Sequence, residues 1–303
     1  MTTIFKDPVT INGLAFNNGV ADANGCKFYI DQLDGWDETA DVQTQVTSFG
    51  YSDGVEAANR WPLSEKYLQV GGYITVPSRT AAFYARQELV TNLKADDELV
   101  VLRTSPIPQE ALCRRASKIE YPQNLEKDGA MRFLFTLMQP WPYKVDPTVF
   151  TGDAAPFAGG AYYRTYDPTG HWRTYDSVGH WRVYTPEFAD PTSTEPQLIT
   201  FINLGDSDAY PVFTVHGPLL AGTWYLLHEE TNTQLGFTLD LSTGQDLVID
   251  MLNKTAYIGD GSVDYYLDGD WIHASPGTNT YRLISGATDD NAGFSIAAQS
   301  TWE

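Results

Sequence analysis

Turn signals that end in glycine divide the first third of the chain into short apolar stretches. They are Asn12-Gly13, Asn17-Asn18-Gly19, Asn24-Gly25, Asp34-Gly35 and Asp53-Gly54. Asn or Asp followed by Gly accepts the positive φ of a tight turn and is typical of the connection between two strands. Short apolar runs between such turns are typical of β-strands. The spacing therefore predicts that this part of the chain is mainly β.

The last third, from Leu198 onward, repeats the pattern more densely. One strand is predicted over 211–216, and a hairpin is predicted to join 223–228 to 235–241 around Thr231-Asn232-Thr233. Seven or more short strands over about 105 residues are typical of a β-sandwich. The sequence therefore predicts a second, C-terminal β-sandwich.

One segment, residues 79–95, is predicted to be helical. Ser78 precedes it as a plausible N-cap, because its hydroxyl can accept a hydrogen bond from a backbone N–H of the first turn. An apolar stripe with spacings of three and four residues follows, consisting of Ala82, Ala85, Leu89 and Leu93. We expect the stripe to pack on the sheet of its own domain, with a partner-binding face as the alternative.

The strands around this helix are predicted from their apolar runs. Residues 67–70 and 73–76 flank Gly71-Gly72, which indicates a strand bent or bulged at the glycines. Residues 99–102 are predicted to form a buried strand, and two more strands are predicted over 113–121 and 131–138.

Composition excludes several classes of protein. Of the 303 residues, 42% are hydrophobic, which is typical of a folded chain, and the net charge of −20 disfavours binding to nucleic acid or to anionic membranes. No secretory signal or transmembrane stretch is recognisable. Cys26 and Cys113 form no metal-binding or redox motif, so we expect two free thiols in a reducing cytoplasm.

Candidate catalytic residues do not form a recognised arrangement. Ser295 lies in Gly-Phe-Ser-Ile-Ala, which lacks the helix that must follow a nucleophile elbow. Three Asp pairs lie beside turn residues and are interpreted as turn formers: Asp206 with Asp208, Asp268 with Asp270, and Asp289 with Asp290. Asp260, Asp264 and Asp268 lack the complete calcium-loop pattern. We therefore predict no enzyme activity, no cofactor and no metal.

A nine-residue repeat stands in the middle of the chain. Tyr163-Arg-Thr-Tyr166 and Trp172-Arg-Thr-Tyr175 are each followed by a five-residue turn ending in Gly-His, and a third copy begins at Trp181. The pattern predicts a three-stranded meander, because aromatic and β-branched residues favour strands. Its candidate interface or ligand-stacking residues are Tyr163, Arg164, Tyr166, Trp172, Arg173, Tyr175, Trp181, Arg182 and Tyr184.

Three roles for the repeat remain open. Strands this short do not hold a ribbon together alone, so we favour scaffolding against its own sandwich or a neighbouring subunit. Binding of a ligand or of the host surface through the aromatic rings is the second alternative. A metal site at His171 and His180 is the third, although metal sites usually need more ligands.

The ordered set of motifs resembles the distal tail protein family of long-tailed phages with flexible tails. In the C-terminal half, the motifs in chain order are Asn203-Leu-Gly205-Asp206, Ala209-Tyr-Pro211, Gly217-Pro218, Ile249-Asp250, Pro276-Gly-Thr-Asn279, Arg282 and Trp302. In the N-terminal half they are Gly71-Gly72, the helix with Arg86 and Leu89, and Arg114-Arg115. Two features depart from the family: Gln139-Pro140 stands where an Asp-Pro pair is common, and the nonapeptide repeat has no counterpart.

The resemblance implies a fold and a role. It implies a β-sandwich with one helix that forms rings (1–145), a connection (146–197) containing the repeat (161–186), and a galectin-like β-sandwich (198–303) whose first strands can begin within the connection. It further implies a six-membered ring at the phage tail tip, which joins the tail tube protein to the tail-tip hub protein and lets DNA pass. The acidic chain agrees with a channel wall that repels phosphate.

The alternative is a carbohydrate-binding adhesion module that recognises the host cell surface. Exposed aromatic rings on a β-sandwich are compatible with stacking on sugars, although isolated residues such as Trp224 and Trp271 more often belong to the core. Neither alternative implies sequence-specific binding to nucleic acid or insertion into a membrane.

Overall fold

The structure is a computed structural model with two compact units. It describes residues 5–43, 46–48, 55–57, 63–122, 129–155, 157–158, 164–166, 172–175, 181–182, 198–263, 267–285 and 292–303. The first unit comprises Met1–Pro147 together with Thr301–Glu303, and the second comprises Thr148–Ser300. Each unit is built almost entirely of antiparallel strands, so the prediction of a mainly β protein is confirmed.

The first unit contains the only helix in the part of the chain that the structure describes. This helix is α1 (Arg79–Asn92), and it is neither long nor apolar enough to cross a membrane. The strands of the unit are β1 (Val9–Ile11), β2 (Leu14–Phe16), β3 (Lys27–Asp34), β4 (Val46–Ser48), β5 (Val55–Ala57), β6 (Lys66–Thr75), β7 (Leu99–Arg103), β8 (Gln109–Arg115), β9 (Ala130–Gln139), β10 (Lys144–Val145) and, at the far end of the chain, β26 (Thr301–Trp302).

Two layers of sheet enclose the core of the first unit. One layer has the order β2-β1-β7-β8, with β10 and β26 continuing beside β8, and the other has the order β3-β6-β9. The layers join where Arg114 and Arg115 of β8 pair with β9. Phe16 of the first layer contacts Phe28 and Phe133 of the second, with ring centroids 6.0 and 6.1 Å apart. The unit is therefore a β-sandwich with one helix, as the sequence predicts.

The helix follows the predicted stripe but ends earlier than expected. The hydroxyl of Ser78 accepts a hydrogen bond from the backbone N–H of Ala81 at 3.1 Å, which confirms the N-cap. Ala82, Ala85 and Leu89 are buried in the core. The helix ends at Asn92 rather than at residue 95, because the fully buried Leu93 leaves helical geometry (φ −117°, ψ 49°) and serves as the C-cap.

Three predictions about the surrounding strands need correction. The strand expected over 99–102 is buried on one face only, since Val100 is exposed between the buried Leu99 and Val101. The strand expected over 113–121 is β8, which ends at Arg115. Strand β6 runs unbroken through Gly71-Gly72; the register shift lies opposite, between Ile30 and Gln32 of β3.

The second unit is a sandwich of two six-stranded sheets. One sheet has the order β11-β25-β17-β20-β21-β22, and the other has the order β12-β24-β18-β19-β23 with β16 also paired to β24. The strands of the unit, including the separate meander β13–β15, are β11 (Phe150–Ala154), β12 (Phe157–Ala158), β13 (Arg164–Tyr166), β14 (Trp172–Tyr175), β15 (Trp181–Arg182), β16 (Ile199–Asn203), β17 (Val212–His216), β18 (Trp224–His228), β19 (Thr233–Phe237), β20 (Asp246–Asp250), β21 (Thr255–Ile258), β22 (Gly261–Ser262), β23 (Leu267–Gly269), β24 (Gly277–Ser285) and β25 (Gly293–Ala298).

Aromatic rings from both sheets meet in the core of the second unit. Phe213 of β17 contacts Tyr281 of β24 edge to face, with ring centroids 5.1 Å apart. Trp224 is buried, and Trp271 packs partly buried against the same core. The hairpin predicted around residues 231–233 is present as β18 and β19. The expected C-terminal β-sandwich is thus confirmed.

Candidate functional site

The nonapeptide repeat forms the predicted three-stranded antiparallel meander. Strand β14 lies between β13 and β15 and pairs with both. Tyr166 lies opposite Trp172 in the first pair, and Tyr175 lies opposite Trp181 in the second. The two pairs are nine residues apart, so the sequence repeat is also a repeat of strand register.

The strands before and after the meander both pair with the same strand of the second unit, β24. Strand β12, before the meander, pairs in parallel with Ile284 and Ser285 of β24. Strand β16, after it, pairs antiparallel with Gly277–Tyr281 of β24. Since β18 pairs along the opposite edge of β24, β12 and β16 lie on the same edge of β24.

Some candidate residues of the repeat lie outside the described residues. These are Tyr163, Tyr184, His171 and His180. Of the others, the structure gives the backbone register: Arg164 pairs with Thr174, Thr174 pairs with Arg182, and Arg173 pairs with Thr165. The interface and stacking roles of these nine positions therefore stay predictions.

Two buried asparagines among the motif residues have structural roles. Asn203 donates from Nδ2 to the carbonyl oxygens of Ser207 (2.7 Å) and Ala274 (3.1 Å), and so holds the loop after β16. Asn279 donates in the same way to the carbonyl oxygens of Ser275 (2.8 Å) and Gly277 (2.9 Å). Both asparagines therefore hold backbone turns in place through their side-chain amides.

A buried histidine lies beside Asn279. Nε2 of His228 is 3.1 Å from Oδ1 of Asn279 and 3.2 Å from Oε2 of Glu230, and its ring stacks on Tyr281. Burial lowers the pKa of His228, while the Glu230 carboxylate opposes that shift. In the neutral ring Nε2–H donates to Asn279, and the hydroxyl of Thr231 donates to Nδ1 at 2.8 Å. Sequence reasoning missed this network.

Two buried lysines in the first unit were also missed. Nζ of Lys66 and Nζ of Lys144 donate to the same carbonyl oxygen of Trp36, at 3.1 and 3.0 Å. Burial, together with the neighbouring ammonium group of Lys144, lowers the pKa of Lys66 to about 8. The alternation of side chains along β6 could have indicated the burial of Lys66, because Lys66 shares the buried face with Leu68 and Val70.

Residues weighed for chemistry lie in structural positions. Ser295 lies inside β25, between its partners Thr214 and Asp153. Cys26 and Cys113 are free and buried, and burial raises their pKa values to about 11 and 12. Among the described residues no group of three or more His, Cys, Asp or Glu side chains is arranged to hold a metal ion; Asp264, Asp289 and Asp290 lie outside them.

The fold is that of a known phage protein. The chain is similar over 98% of its length to 99% of the Dit protein of phage SPP1, described as a paradigm of the hub adsorption apparatus in phages that infect Gram-positive bacteria; the TM-score is 0.61 and the identity 12%. Two structures of the phage P2 baseplate in its activated conformation, with Ca and with Sr, match at 11% and 12% identity, each with a TM-score of 0.44. No known family profile and no curated protein sequence matches this chain.

Proposed function

We propose that this chain is a structural, non-enzymatic protein of a phage virion that forms a closed six-membered ring at the distal end of the tail. The ring joins the tail tube protein to the tail-tip hub protein and lets DNA pass. The protein is made in the host cytoplasm and resides in the virion at the tail tip. Its C-terminal sandwich is the galectin-like part of the family pattern.

The observation that carries this proposal is the similarity to the SPP1 Dit protein over 98% of the chain, a share that includes both units. A similarity limited to one sandwich supports little, because β-sandwiches serve many unrelated functions. The net charge of −20 also supports the role, since an acidic channel wall repels the phosphates of passing DNA. Closed rings need a head-to-tail interface between identical subunits.

Native mass spectrometry of the purified chain at micromolar concentration tests the ring. We expect a discrete oligomer, with six copies as its main species. Electron micrographs of purified tails should show the protein at the tip, for example after labelling with a specific antibody. A strictly monomeric protein that is also absent from virions would refute the proposal.

Carbohydrate binding by the repeat is the second candidate function. The observation that favours it is the register of the meander, which repeats a Tyr–Trp cross-strand pair at Tyr166–Trp172 and Tyr175–Trp181. Aromatic rings at such positions can stack on sugars.

Replacing Trp172 and Trp181 together by Ala tests this second candidate. If the repeat binds sugar, the double variant should assemble normally and lose binding to host cell-wall polysaccharide in a pull-down assay. The matched control replaces Thr169 and Val178, two non-aromatic residues of the repeat, by Ala and should keep binding. Equal binding by the double variant and the wild type would contradict a sugar site.

A further inference from the structure

Beyond its first residue, the exposed Arg79, the outward face of α1 carries no exposed charged side chain. Between residues 80 and 91 the exposed side chains are Thr80, Phe83, Tyr84, Gln87, Val90 and Thr91. Phe83 is 58% exposed, Val90 is 51% exposed and Tyr84 is 47% exposed. Phe83 and Val90 are seven residues apart and therefore lie in one row along the helix. For a chain with a net charge of −20, this face is unusually apolar.

The charged residues on the flanks of this helix are engaged by their own unit. Arg86 lies 4.9 Å above the ring of Tyr121, and its Nε lies 2.9 Å from Sδ of Met131. Glu88 lies beside Asp22, and desolvation together with the Asp22 carboxylate raises the pKa of Glu88. Both side chains are partly buried, and Phe83 and Val90 stay exposed.

A second exposed apolar patch lies on the outer side of the same unit. Val100 of β7 and Leu112 of β8 are direct cross-strand partners, 38% and 44% exposed. Their neighbours along each strand point into the core, so this pair points away from it. Glu110 and Arg114 share its face of β8, so the patch has an apolar centre and a charged rim, as is usual for interfaces.

We infer that these two patches meet between copies of this chain: the outward face of α1 in one copy packs on the Val100–Leu112 pair of the next. This inference rests on the proposed ring. The occupant is a second copy because the proposed ring needs contacts between copies, and two chains of −20 approach each other at the least Coulomb cost where exposed charges are few. Two different patches make the contact head-to-tail, which is the type that closes a ring.

The outward face of α1 is too small to form a stable interface by itself. A helix of 14 residues is about 21 Å long, and a stable interface buries roughly 800 Å² on each partner. The face of α1 is therefore the apolar centre of a larger contact. Aromatic residues at such centres carry much of the binding energy, so a single charge introduced at Phe83 is expected to prevent assembly.

The first test uses Phe83→Lys and Leu112→Lys, each as the full chain. Lysine is chosen so that a loss of assembly is not due to added negative charge. Each variant should be monomeric by native mass spectrometry at a concentration where the wild type forms rings. Circular dichroism and the thermal midpoint should stay close to those of the wild type, since both side chains are exposed. The control is Leu252→Lys in the second unit, where Leu252 is 43% exposed; it should form rings.

The second test mixes the two variants after one has been labelled with ¹⁵N. In a head-to-tail contact each variant keeps one intact patch, so the mixture should give heterodimers and no larger species. Rings formed by Phe83→Lys alone would overturn the inference but leave the proposed ring intact. A mixture that stays monomeric would also overturn it. A monomeric wild type would overturn both the inference and the proposed function.

Discussion

Replacing Gly72 by Ala is expected to unfold the first unit or to lower its free energy of unfolding by about 3 kcal/mol or more. Gly72 lies in the middle of β6, opposite Ile30, where β3 carries its register shift. A Cβ atom at this position would overlap the carbonyl oxygen of Tyr29 and lie 2.6 Å from the ring of Phe133. Neither group can yield easily, because one is backbone and the other is packed in the core.

The neighbouring glycine provides a matched control for this prediction. A Cβ atom at Gly71 would lie 3.0 Å from Oε1 of Gln32, at the end of a flexible side chain. We therefore expect Gly71→Ala to cost at most about 1 kcal/mol. Chemical denaturation followed by circular dichroism gives the loss, and hydrogen exchange in peptides of β3, β6 and β9 assigns it to the first unit. Equal stability of the two variants would show that β3 does not approach β6 as described.

Replacing Asn279 by Ala is expected to lower the free energy of unfolding of the second unit by about 2–4 kcal/mol. Asn279 is 1% exposed and makes three hydrogen bonds: two from Nδ2 to the carbonyl oxygens of Ser275 and Gly277, and one from Nε2 of His228 to Oδ1. Alanine leaves these buried groups without their partner, and the cost of an unmade buried hydrogen bond exceeds the net gain from a made one.

The control for this change is the preceding residue of the same strand. Thr278 is exposed on the outer face of β24, so Thr278→Ala should change the stability by about 0.5 kcal/mol or less. Denaturant titration followed by circular dichroism gives the loss, and hydrogen exchange in peptides of β18 and β24 assigns it to the second unit. If Asn279→Ala unfolds at the same denaturant concentration as Thr278→Ala, the amide does not hold the turn before β24.

Local signals in the sequence predict most of the fold. The N-cap at Ser78, the hairpin around Asn232 and the meander of the repeat are each fixed by residues within a few positions of one another. Asn232, for example, takes a positive φ of 55° in its turn, which asparagine tolerates well. Such features can be predicted from the sequence because the residues that form a turn or a helix cap are close to one another in the chain.

Features that depend on distant residues could not be predicted in the same way. The end of β8 at Arg115 is set by pairing, since the backbone N–H groups of Ala116 and Ser117 both turn to the carbonyl oxygen of Thr136. The two lysines on the carbonyl oxygen of Trp36 come from strands far apart in sequence. The outward face of α1 was missed because the sequence stripe drew attention to the buried face, although Phe83 and Val90 show the same helical spacing.

The pairing of β26 with β10 has a consequence for synthesis on the ribosome. Lys144 and Val145 lie opposite Trp302 and Thr301, so one edge of the first unit is completed by residues that are translated after the whole second unit. Until then β10 presents an unpaired edge to other nascent chains, and exposed edges of this kind promote aggregation. Strand β25 of the second unit leaves the ribosome almost together with β26, so the edge stays exposed for at least as long as the ribosome needs to translate residues 148–300.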